Sequence, residues 1–209
     1  MADRVGPERI GIFGGTFDPI HNAHLMVARL ARQAAGLDRV IFMPAGTPPH
    51  KERLALTADG HRLAMVRLAV EGLGGYEVSD LEMATPEVDY TVDTLRLMAG
   101  RNPGAKLYFI IGGDSLMMLD QWRDPEGLMS LAAFIAVYRP DCEPDALERK
   151  RGEILSRYGG EILLVSCGGM DVSSTMIRRR AAAGLDVSGL TSPAVARYIE
   201  EHALYVEGI

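Results

Sequence analysis

The sequence is poor in cysteine and has no long hydrophobic run. Its 209 residues include two cysteines, Cys142 and Cys167, which form no close pair. This spacing excludes a cysteine-based metal or redox motif and favours the reducing cytoplasm. The longest apolar run, residues 131–138, is far too short to span a bilayer, so we expect no membrane association. Residues 1–4 are charged with no apolar stretch behind them, which predicts no signal peptide.

Positive charge is also scarce. Lysine and arginine total 22 against 28 aspartates and glutamates, which gives a net charge of −6. This balance excludes the broad basic surface of a protein that coats nucleic acid, although a local basic cluster can still bind a nucleotide. Hydrophobic residues make up 47% of the chain, enough for a well-filled core. Because no repeat or linker interrupts the pattern, we predict a single domain over residues 1–209.

Apolar runs of strand length alternate with helical patterns, which is typical of a parallel sheet with crossover helices. The first predicted strand opens the segment 9–25, and the others cover residues 39–43, 76–79, 107–111, 133–138 and 162–165. Helices are predicted up to residue 35 and over residues 59–73, 90–98, 144–158, 173–183 and 192–202, with Asp59, Asp89 and Ser192 as caps. The predicted fold class is therefore α/β, a Rossmann-like doubly wound, mainly parallel sheet with helices on both faces.

Residues 9–25, RIGIFGGTFDPIHNAHL, combine a strand, two glycines, a turn signal and two histidines. Gly14 and Gly15 let the backbone turn sharply and approach a ligand with no Cβ in the way. His21 and His24 stand three residues apart at the head of a helical pattern, so we expect both in its first turn. Two imidazoles beside free backbone N–H groups, at the positive end of a helix, predict a phosphate site.

The histidine pair has other interpretations. Two histidines three residues apart can arise by accident or can bind a metal. Zinc would require further ligands, and His50, His61 and His202 show no ligand spacing. The order of strand, glycine pair, Asp-Pro, His-x-x-His and helix is much more specific than any one of its parts, so phosphate binding is the preferred interpretation.

Ligands of doubly wound sheets bind beyond the carboxyl ends of the strands, where the strand order reverses. Polar residues follow the predicted strands at that edge, namely residues 14–18, Lys51 in a proline-stiffened loop, residues 112–114 and Arg139. We therefore expect these loops to meet in one crevice. Taken alone, Lys51 is more often a solvated surface lysine. Its place after the second strand favours contact with a phosphate.

Residues 172–178, VSSTMIR, begin another predicted helix. Ser173, Ser174 and Thr175 offer hydroxyls and open amides at the helix start, and Arg178 follows about one turn later. Backbone donors, the helix dipole and a guanidinium together suit triphosphate oxygens. Ordinary capping by a serine is the alternative, and it requires no ligand. The two arginines that follow are expected to lie in solvent.

A third group of motifs comprises residues 89–95, DYTVDTL, and residues 112–116, GGDSL, with Trp122 soon after. Trp122 is the only tryptophan, and it is either a core residue or a stacking platform for a planar ring. Arg123 follows it directly and is either a cation for a ligand carboxylate or a solvated side chain.

The motifs GGTFDPIH, PPHK, YTxxTL, GxDSL with a tryptophan soon after, YRP and SSTxIR occur in this order between residues 10 and 178. In this order they resemble the nicotinate-mononucleotide adenylyltransferases of the nucleotidylyltransferase superfamily, whose first motif reads GGTFDPxHxGH. Ala23 stands where that motif has glycine. The segment from Tyr198 to Tyr205 also resembles the end of that family's chains.

The resemblance implies synthesis of deamido-NAD and pyrophosphate from ATP and nicotinate mononucleotide. The residues expected to carry charge in catalysis are His21, His24, Lys51 and Arg178. The expected ATP-binding residues are Gly14, Gly15, Thr16, Phe17, Asp18, Ser173, Ser174 and Thr175. The expected mononucleotide-binding residues are Thr91, Asp114, Trp122 and Arg139. Within this last set, the family's pattern implies that Thr91 helps hold the nicotinate carboxylate and that Trp122 stacks on the pyridine.

The expected nucleophile is the phosphate of the mononucleotide, which is largely dianionic at neutral pH because its second pKa is about 6. No general base is then required. We expect Mg²⁺ as cofactor, held mostly by ATP and water rather than by a protein metal site. The alternatives are a nicotinamide-mononucleotide or dual-specificity enzyme, a pantetheine-phosphate adenylyltransferase or cytidylyltransferase, and a nucleotide sensor without catalysis. The sequence leaves a homo-oligomer open.

Overall fold

One sheet of parallel strands forms the centre of the protein. The computed structural model describes residues 6–46, 56–85, 90–139, 143–169 and 171–206. Within these ranges the strands are β1 (Arg9–Gly15), β2 (Arg39–Pro44), β3 (Tyr76–Val78), β4 (Lys106–Gly112), β5 (Ala133–Tyr138) and β6 (Ile162–Ser166). Their spatial order is β3-β2-β1-β4-β5-β6. Each neighbouring pair is parallel.

Helices connect the strands and cover both faces of the sheet. They are α1 (Asn22–Ala35), α2 (Asp59–Val70), α3 (Leu81–Ala84), α4 (Thr91–Arg101), α5 (Gly113–Met117), α6 (Pro125–Leu131), α7 (Pro144–Tyr158), α8 (Ser174–Ala182) and α9 (Pro193–Glu201), with a 3₁₀ turn at Leu119–Gln121. Alternate strand residues feed two hydrophobic clusters. Phe13 belongs to the cluster that packs α1, α2, α8 and α9, whereas Ile12 belongs to the cluster that packs α4, α6 and α7. None of the described helices is long and apolar enough to cross a membrane.

The sheet is doubly wound, as predicted. The chain starts in β1 at the centre, moves outward through β2 and β3, and then returns to add β4 on the other side of β1. The strand order therefore reverses between β1 and β4, and the carboxyl ends of these two strands flank the crevice in which such sheets bind ligands. The sequence predicted these strands because strands buried on both faces appear as continuous apolar runs. The polar residues that follow the strands then indicated the ligand-binding edge.

The prediction for α2 was wrong in two respects. The helix spans Asp59–Val70 rather than residues 59–73, and Ala58 occupies its N-cap position. Asp59 is instead the first helical residue, and its carboxylate pairs with Arg62 at 2.6 Å. The chain leaves the helical conformation at Glu71, whose ψ is 129°, and turns at Gly72, whose φ of 75° lies in the left-handed region. Leu73, which follows this turn, is exposed.

Several short elements were not predicted from the sequence. They are α3, α5, α6 and the 3₁₀ turn, all too short to show a helical period. The helix predicted at residues 90–98 is α4, whose N-cap is Tyr90. Asp89, the predicted cap, lies outside the described residues.

Candidate active site

The chain turns sharply between β1 and α1, and core packing sets the shape of this turn. Phe17 has a φ of 48° and is 2% exposed. Its ring packs edge-on against Phe13 and His24, with centroid distances of 5.5 and 5.0 Å. A Cβ on Gly15 would lie 3.0 Å from the Phe17 ring, so this glycine makes room for the ring. The Phe17 side chain faces the core, and any contact of this residue with a nucleotide must come from its backbone.

His21 and His24 lie together at the start of α1, as predicted. His21 is the N-cap, and His24 is in the first turn. Their rings stack with centroids 3.7 Å apart and 21° between the planes. The backbone N–H of His21 donates to Nδ1 of His24 at 3.2 Å. Because Nδ1 accepts, neutral His24 carries its proton on Nε2, which is then the donor for a ligand.

Both histidines are neutral in the free protein at pH 7. Burial, helped by the positive charge of Arg139, lowers the pKa of His21 to about 4. Burial, helped by His21, lowers the pKa of His24 to about 3. A bound phosphate would raise both pKa values because it favours the protonated form. The charge predicted for these histidines therefore depends on the ligand, and without one they act as neutral N–H donors.

We expect the free energy of unfolding to fall as the pH is lowered from about 6.5 toward 4, the window between the ordinary histidine pKa and the lowered values. In that window the unfolded chain binds protons at His21 and His24 that the folded protein does not bind. Each histidine then contributes a slope of up to about 1.4 kcal/mol per pH unit. Denaturant titrations at pH 7.5, 6 and 5 measure the slope of the unfolding free energy against pH. The His24→Gln variant should show a smaller slope. Equal slopes in the variant and the wild type would contradict the assignment.

Asp18 is buried and joins three distant parts of the chain. Its Oδ1 accepts a hydrogen bond from the Tyr205 hydroxyl at 2.7 Å, and its Oδ2 accepts from the Thr57 N–H at 3.2 Å. Its backbone oxygen accepts from Nη1 of Arg178 at 2.7 Å. Burial, with a further contribution from the Asp18 carboxylate, raises the pKa of the Tyr205 hydroxyl, so this hydroxyl remains a donor. Asp18 therefore anchors the turn, and its predicted contact with ATP stays a prediction.

The start of α8 packs against the same turn. Ser173 caps the helix by accepting the backbone N–H three residues later at 3.2 Å, so the capping interpretation is correct for this residue. The Ser174 hydroxyl donates to the Pro19 carbonyl at 2.9 Å. Nη2 of Arg178 donates to the Thr175 hydroxyl oxygen at 3.3 Å. The two motifs predicted to bind ATP are therefore in direct contact, and Arg178 bridges them.

The loops after β1, β4 and β5 approach one edge of the sheet. Thr16 is exposed directly after β1, and Asp114 is exposed in the first turn of α5, which follows β4. Arg139 is exposed after β5, and its charge acts on His21. A positive charge that acts on His21, together with the imidazole N–H groups, favours a phosphate as the ligand. Lys51 lies outside the described residues, so its phosphate contact stays a prediction.

Thr91 and Trp122, predicted to hold the pyridine, belong to neighbouring elements on the other side of the sheet. Thr91 is the first residue of α4 and is half-buried. Trp122 follows the 3₁₀ turn and is also half-buried, with its ring edge-on to Phe109 at a centroid distance of 6.3 Å. The tryptophan thus packs on the core and keeps part of its surface in solvent. Its stacking on a pyridine ring stays a prediction.

Arg123 packs on a tyrosine. Its guanidinium lies over the Tyr90 ring, 4.5 Å from the ring centroid, although the residue is exposed. An ion pair between Arg96 and Asp124 at 2.5 Å ties the same segment to α4. Cation–π and ionic contacts on the two residues after Trp122 therefore hold the tryptophan segment beside the start of α4.

Sequence reasoning missed two residues that hold the backbone of this site. Tyr205 reaches Asp18 across 187 positions. Arg62 reaches the Thr16 carbonyl at 2.7 Å across 46 positions. Tyr205 ends the segment that resembles the family's chain end, but no local pattern assigned a role to it or to Arg62, because each acts through a partner far away in the chain.

The sequence of the chain is similar to those of known proteins. It matches the cytidylyltransferase-like family model over residues 12–180. A probable nicotinate-nucleotide adenylyltransferase of Symbiobacterium thermophilum is 42% identical over 200 residues, which cover 96% of each chain. A relative of the same name from Desulfitobacterium hafniense is 41% identical over 199 residues, covering 95% of this chain and 96% of the relative.

The fold is also similar to that of solved structures. Two are of the Plasmodium falciparum nicotinic acid mononucleotide adenylyltransferase, complexed with APC (TM-score 0.74) and with NaAD (TM-score 0.76). Each is 22% identical and covers 95% of this chain and 97% of its own. This likeness supports the fold, whereas the sequence relatives support the family. Since identities of about 40% extend over nearly the whole chain, the protein belongs to the nicotinate-nucleotide adenylyltransferase family of cytidylyltransferase-like proteins.

Proposed function

We propose that this protein transfers the AMP part of ATP to nicotinate mononucleotide, giving deamido-NAD and pyrophosphate for NAD biosynthesis. The observation that carries the proposal is the contact between the histidine turn and the start of α8. There the Arg178 guanidinium binds the Asp18 carbonyl at 2.7 Å, and the stacked imidazoles of His21 and His24 follow within the same turn. Imidazole N–H groups, a helix N-terminus and a guanidinium form a combination suited to a triphosphate.

In the proposed reaction, a phosphate oxygen of the mononucleotide attacks the α-phosphorus of ATP. A new phosphorus–oxygen bond forms as the bond from the α-phosphorus to the bridging oxygen breaks, and pyrophosphate leaves. The attacking phosphate is already largely dianionic, so the protein need not remove a proton. Its task is to align the two phosphates and to stabilise the charge on the transferring and leaving groups. We assign this role to His21, His24, Arg178 and Lys51.

We also propose that Mg²⁺ arrives with ATP. In the part of the chain that the structure describes, no group of three His, Cys, Asp or Glu residues could hold a metal ion. Both carboxylate oxygens of Asp18 accept hydrogen bonds from the chain itself. A metal coordinated by the ATP phosphates and water would need no protein ligand, and it would neutralise charge on the departing pyrophosphate.

The mononucleotide would bind with its pyridine ring between Trp122 and the start of α4. In this arrangement Trp122 stacks on the ring, and Thr91 with the first amides of α4 meets the carboxylate. Asp114 and Arg139 would complete this subsite on the phosphate side. Both partners are thus small molecules, and we place the reaction in the cytoplasm, as the cysteine content predicts.

Pyrophosphate release with Mg-ATP tests the proposal directly. Nicotinate mononucleotide and nicotinamide mononucleotide are offered in separate reactions, with pantetheine phosphate as a third substrate. We expect release with the acid at a clearly higher kcat/KM than with the amide. Comparable rates would replace the acid-specific assignment with the dual-specificity alternative. Release with pantetheine phosphate alone, or with none of the three, would contradict the proposed function.

A further inference from the structure

Arg62 is fully buried near the start of α2, although a charged residue is expected on the surface. The apolar spacing predicts one buried stripe on this helix, formed by Leu63, Val66, Ala69/Val70 and Leu73. Val66, Ala69 and Val70 are buried as predicted, but Arg62 and Met65 are buried as well. Leu63 is only half-buried and Leu73 is exposed. A buried guanidinium is costly unless hydrogen bonds satisfy it, so its partners indicate its role.

The Arg62 guanidinium binds carbonyl oxygens from three separate segments. Nη1 donates to the Thr16 oxygen and Nη2 donates to the Ala45 oxygen, each at 2.7 Å. Nε donates to the Thr57 oxygen at 3.1 Å. Nη2 also pairs with the Asp59 carboxylate at 2.6 Å. Such a planar fork spans acceptors that a single point donor cannot hold together.

Two of these carbonyls stand at the ligand-binding edge of the sheet. Thr16 and Ala45 are the first residues beyond β1 and β2, which pair in register at Gly15 and Pro44. The Ala45 N–H continues this ladder by donating to the Gly15 oxygen at 2.9 Å. Arg62 therefore fixes the two strand ends just where the histidine turn leaves the sheet.

The third carbonyl, that of Thr57, belongs to a residue that also binds Asp18. The Thr57 N–H donates to the Asp18 carboxylate, while the Thr57 oxygen accepts from Arg62. Asp18 is thereby tied directly to Thr57, which precedes α2, and Thr16 is tied to Thr57 through Arg62. In a trans peptide the C=O and N–H groups point in opposite directions. Holding the Thr16 oxygen toward Arg62 therefore directs the Phe17 N–H away from the arginine.

We propose that Arg62 is a positioning residue for ATP, and this inference rests on the proposed function. By holding the Thr16 and Ala45 carbonyls, Arg62 presets the backbone on which the phosphates of ATP bind, with the Phe17 N–H on the ligand side. Arg62 itself does not touch the nucleotide. Its loss weakens ATP binding through the position of the turn and affects the mononucleotide much less.

The test compares Arg62→Lys and Arg62→Gln with Arg67→Lys and Arg67→Gln. Arg67 lies on the same helix, is 59% exposed, and makes only a long 3.7 Å ion pair with Asp80 among its described contacts. We expect both Arg62 variants to raise the KM for Mg-ATP by about 10- to 100-fold. Their KM for nicotinate mononucleotide should change by less than about threefold. The Arg67 variants should match the wild type.

A purely structural role would give a different result. If the Arg62 variants unfold at lower temperature but the folded fraction keeps the wild-type KM for Mg-ATP, the proposal is overturned. Asp59→Asn adds a second check, because it removes the charge pair and leaves the carbonyl contacts in place. It should leave the KM for Mg-ATP near the wild-type value. If Asp59→Asn raises the KM for Mg-ATP as much as Arg62→Lys does, the effect belongs to the ion pair and the proposal is overturned.

Calorimetric titration with Mg-ATP separates this inference from the proposed function. If the wild type binds Mg-ATP but releases no pyrophosphate with nicotinate mononucleotide, the proposed function fails while the affinities of the Arg62 and Arg67 variants still decide the role of Arg62. Weaker Mg-ATP binding confined to the Arg62 variants supports the positioning role of Arg62. Equal Mg-ATP affinities in the Arg62 and Arg67 variants overturn it. If either Arg62 variant fails to fold, as judged by circular dichroism, the other variant and Asp59→Asn provide the decision.

Discussion

Replacing His24 with alanine should lower kcat by about 10²- to 10³-fold, the usual cost of losing one donor to developing charge. His24 Nδ1 accepts the His21 N–H, so its Nε2 is the group free to donate to a phosphate. The variant also loses the ring that stacks on His21 and packs against Phe17. These contacts should cost about 1–2 kcal/mol of folding stability, far less than the catalytic loss. Steady-state pyrophosphate release and denaturant unfolding measure the two effects separately.

Two further variants test whether the loss of kcat is specific to the His24 side chain. His202→Ala removes an exposed histidine after α9 and should leave kcat unchanged. His24→Asn keeps an acceptor for the His21 N–H together with an amide donor, and its kcat should lie between those of His24→Ala and the wild type. A His24→Ala protein that is folded and turns over at the wild-type rate would remove His24 from the catalytic assignment.

Replacing Arg178 with alanine should lower kcat/KM for Mg-ATP by about 10²- to 10³-fold. The guanidinium is held between the Asp18 carbonyl and the Thr175 hydroxyl, so it lies where the histidine turn meets α8. Its remaining N–H groups can bind phosphate in the fork geometry that guanidinium provides. Arg178→Lys keeps the charge without the fork and should recover only part of the loss. Kinetics at varied Mg-ATP concentration measure this difference.

Arg179 provides the matched control for this experiment. It is the next residue on the same helix and is exposed, so Arg179→Ala should lower kcat/KM by less than about twofold. The two substitutions change the net charge equally, so a general effect of charge on nucleotide attraction would appear in both variants. Equal losses of kcat/KM in Arg178→Ala and Arg179→Ala would show that the position of the guanidinium on α8 does not matter. This result would contradict the assignment of Arg178.

The sheet and the histidine site could be predicted from the sequence because both depend on short segments. Parallel strands buried on both faces appear as apolar runs, and β5 and α7 were predicted with their observed bounds. His21 and His24 meet because residues three apart lie on the same side of a helical turn. The four-residue α3 and five-residue α5 are too short to show a helical period, so the sequence did not predict them.

The burial of Arg62 in α2 could not be predicted because a hydrophobic pattern treats arginine as exposed. Arg62 is buried only since the ends of two neighbouring strands supply carbonyls at its guanidinium. The neutral state of the histidines has a similar origin. Their low pKa values come from burial, with the charge of Arg139, just after β5, acting on His21. Neither the partners nor the burial is visible in the residues adjacent in sequence.

The sequence by itself determined the doubly wound parallel sheet, the place of the histidine pair at a helix start, and the family to which the motifs point. Each of these rests on the order and spacing of residues within short segments. Only the tertiary structure decided that Tyr205 and Arg178 hold Asp18 and that Arg62 fastens the two strand ends. Such contacts join residues between 17 and 187 positions apart, and the folded sheet alone sets which of them meet.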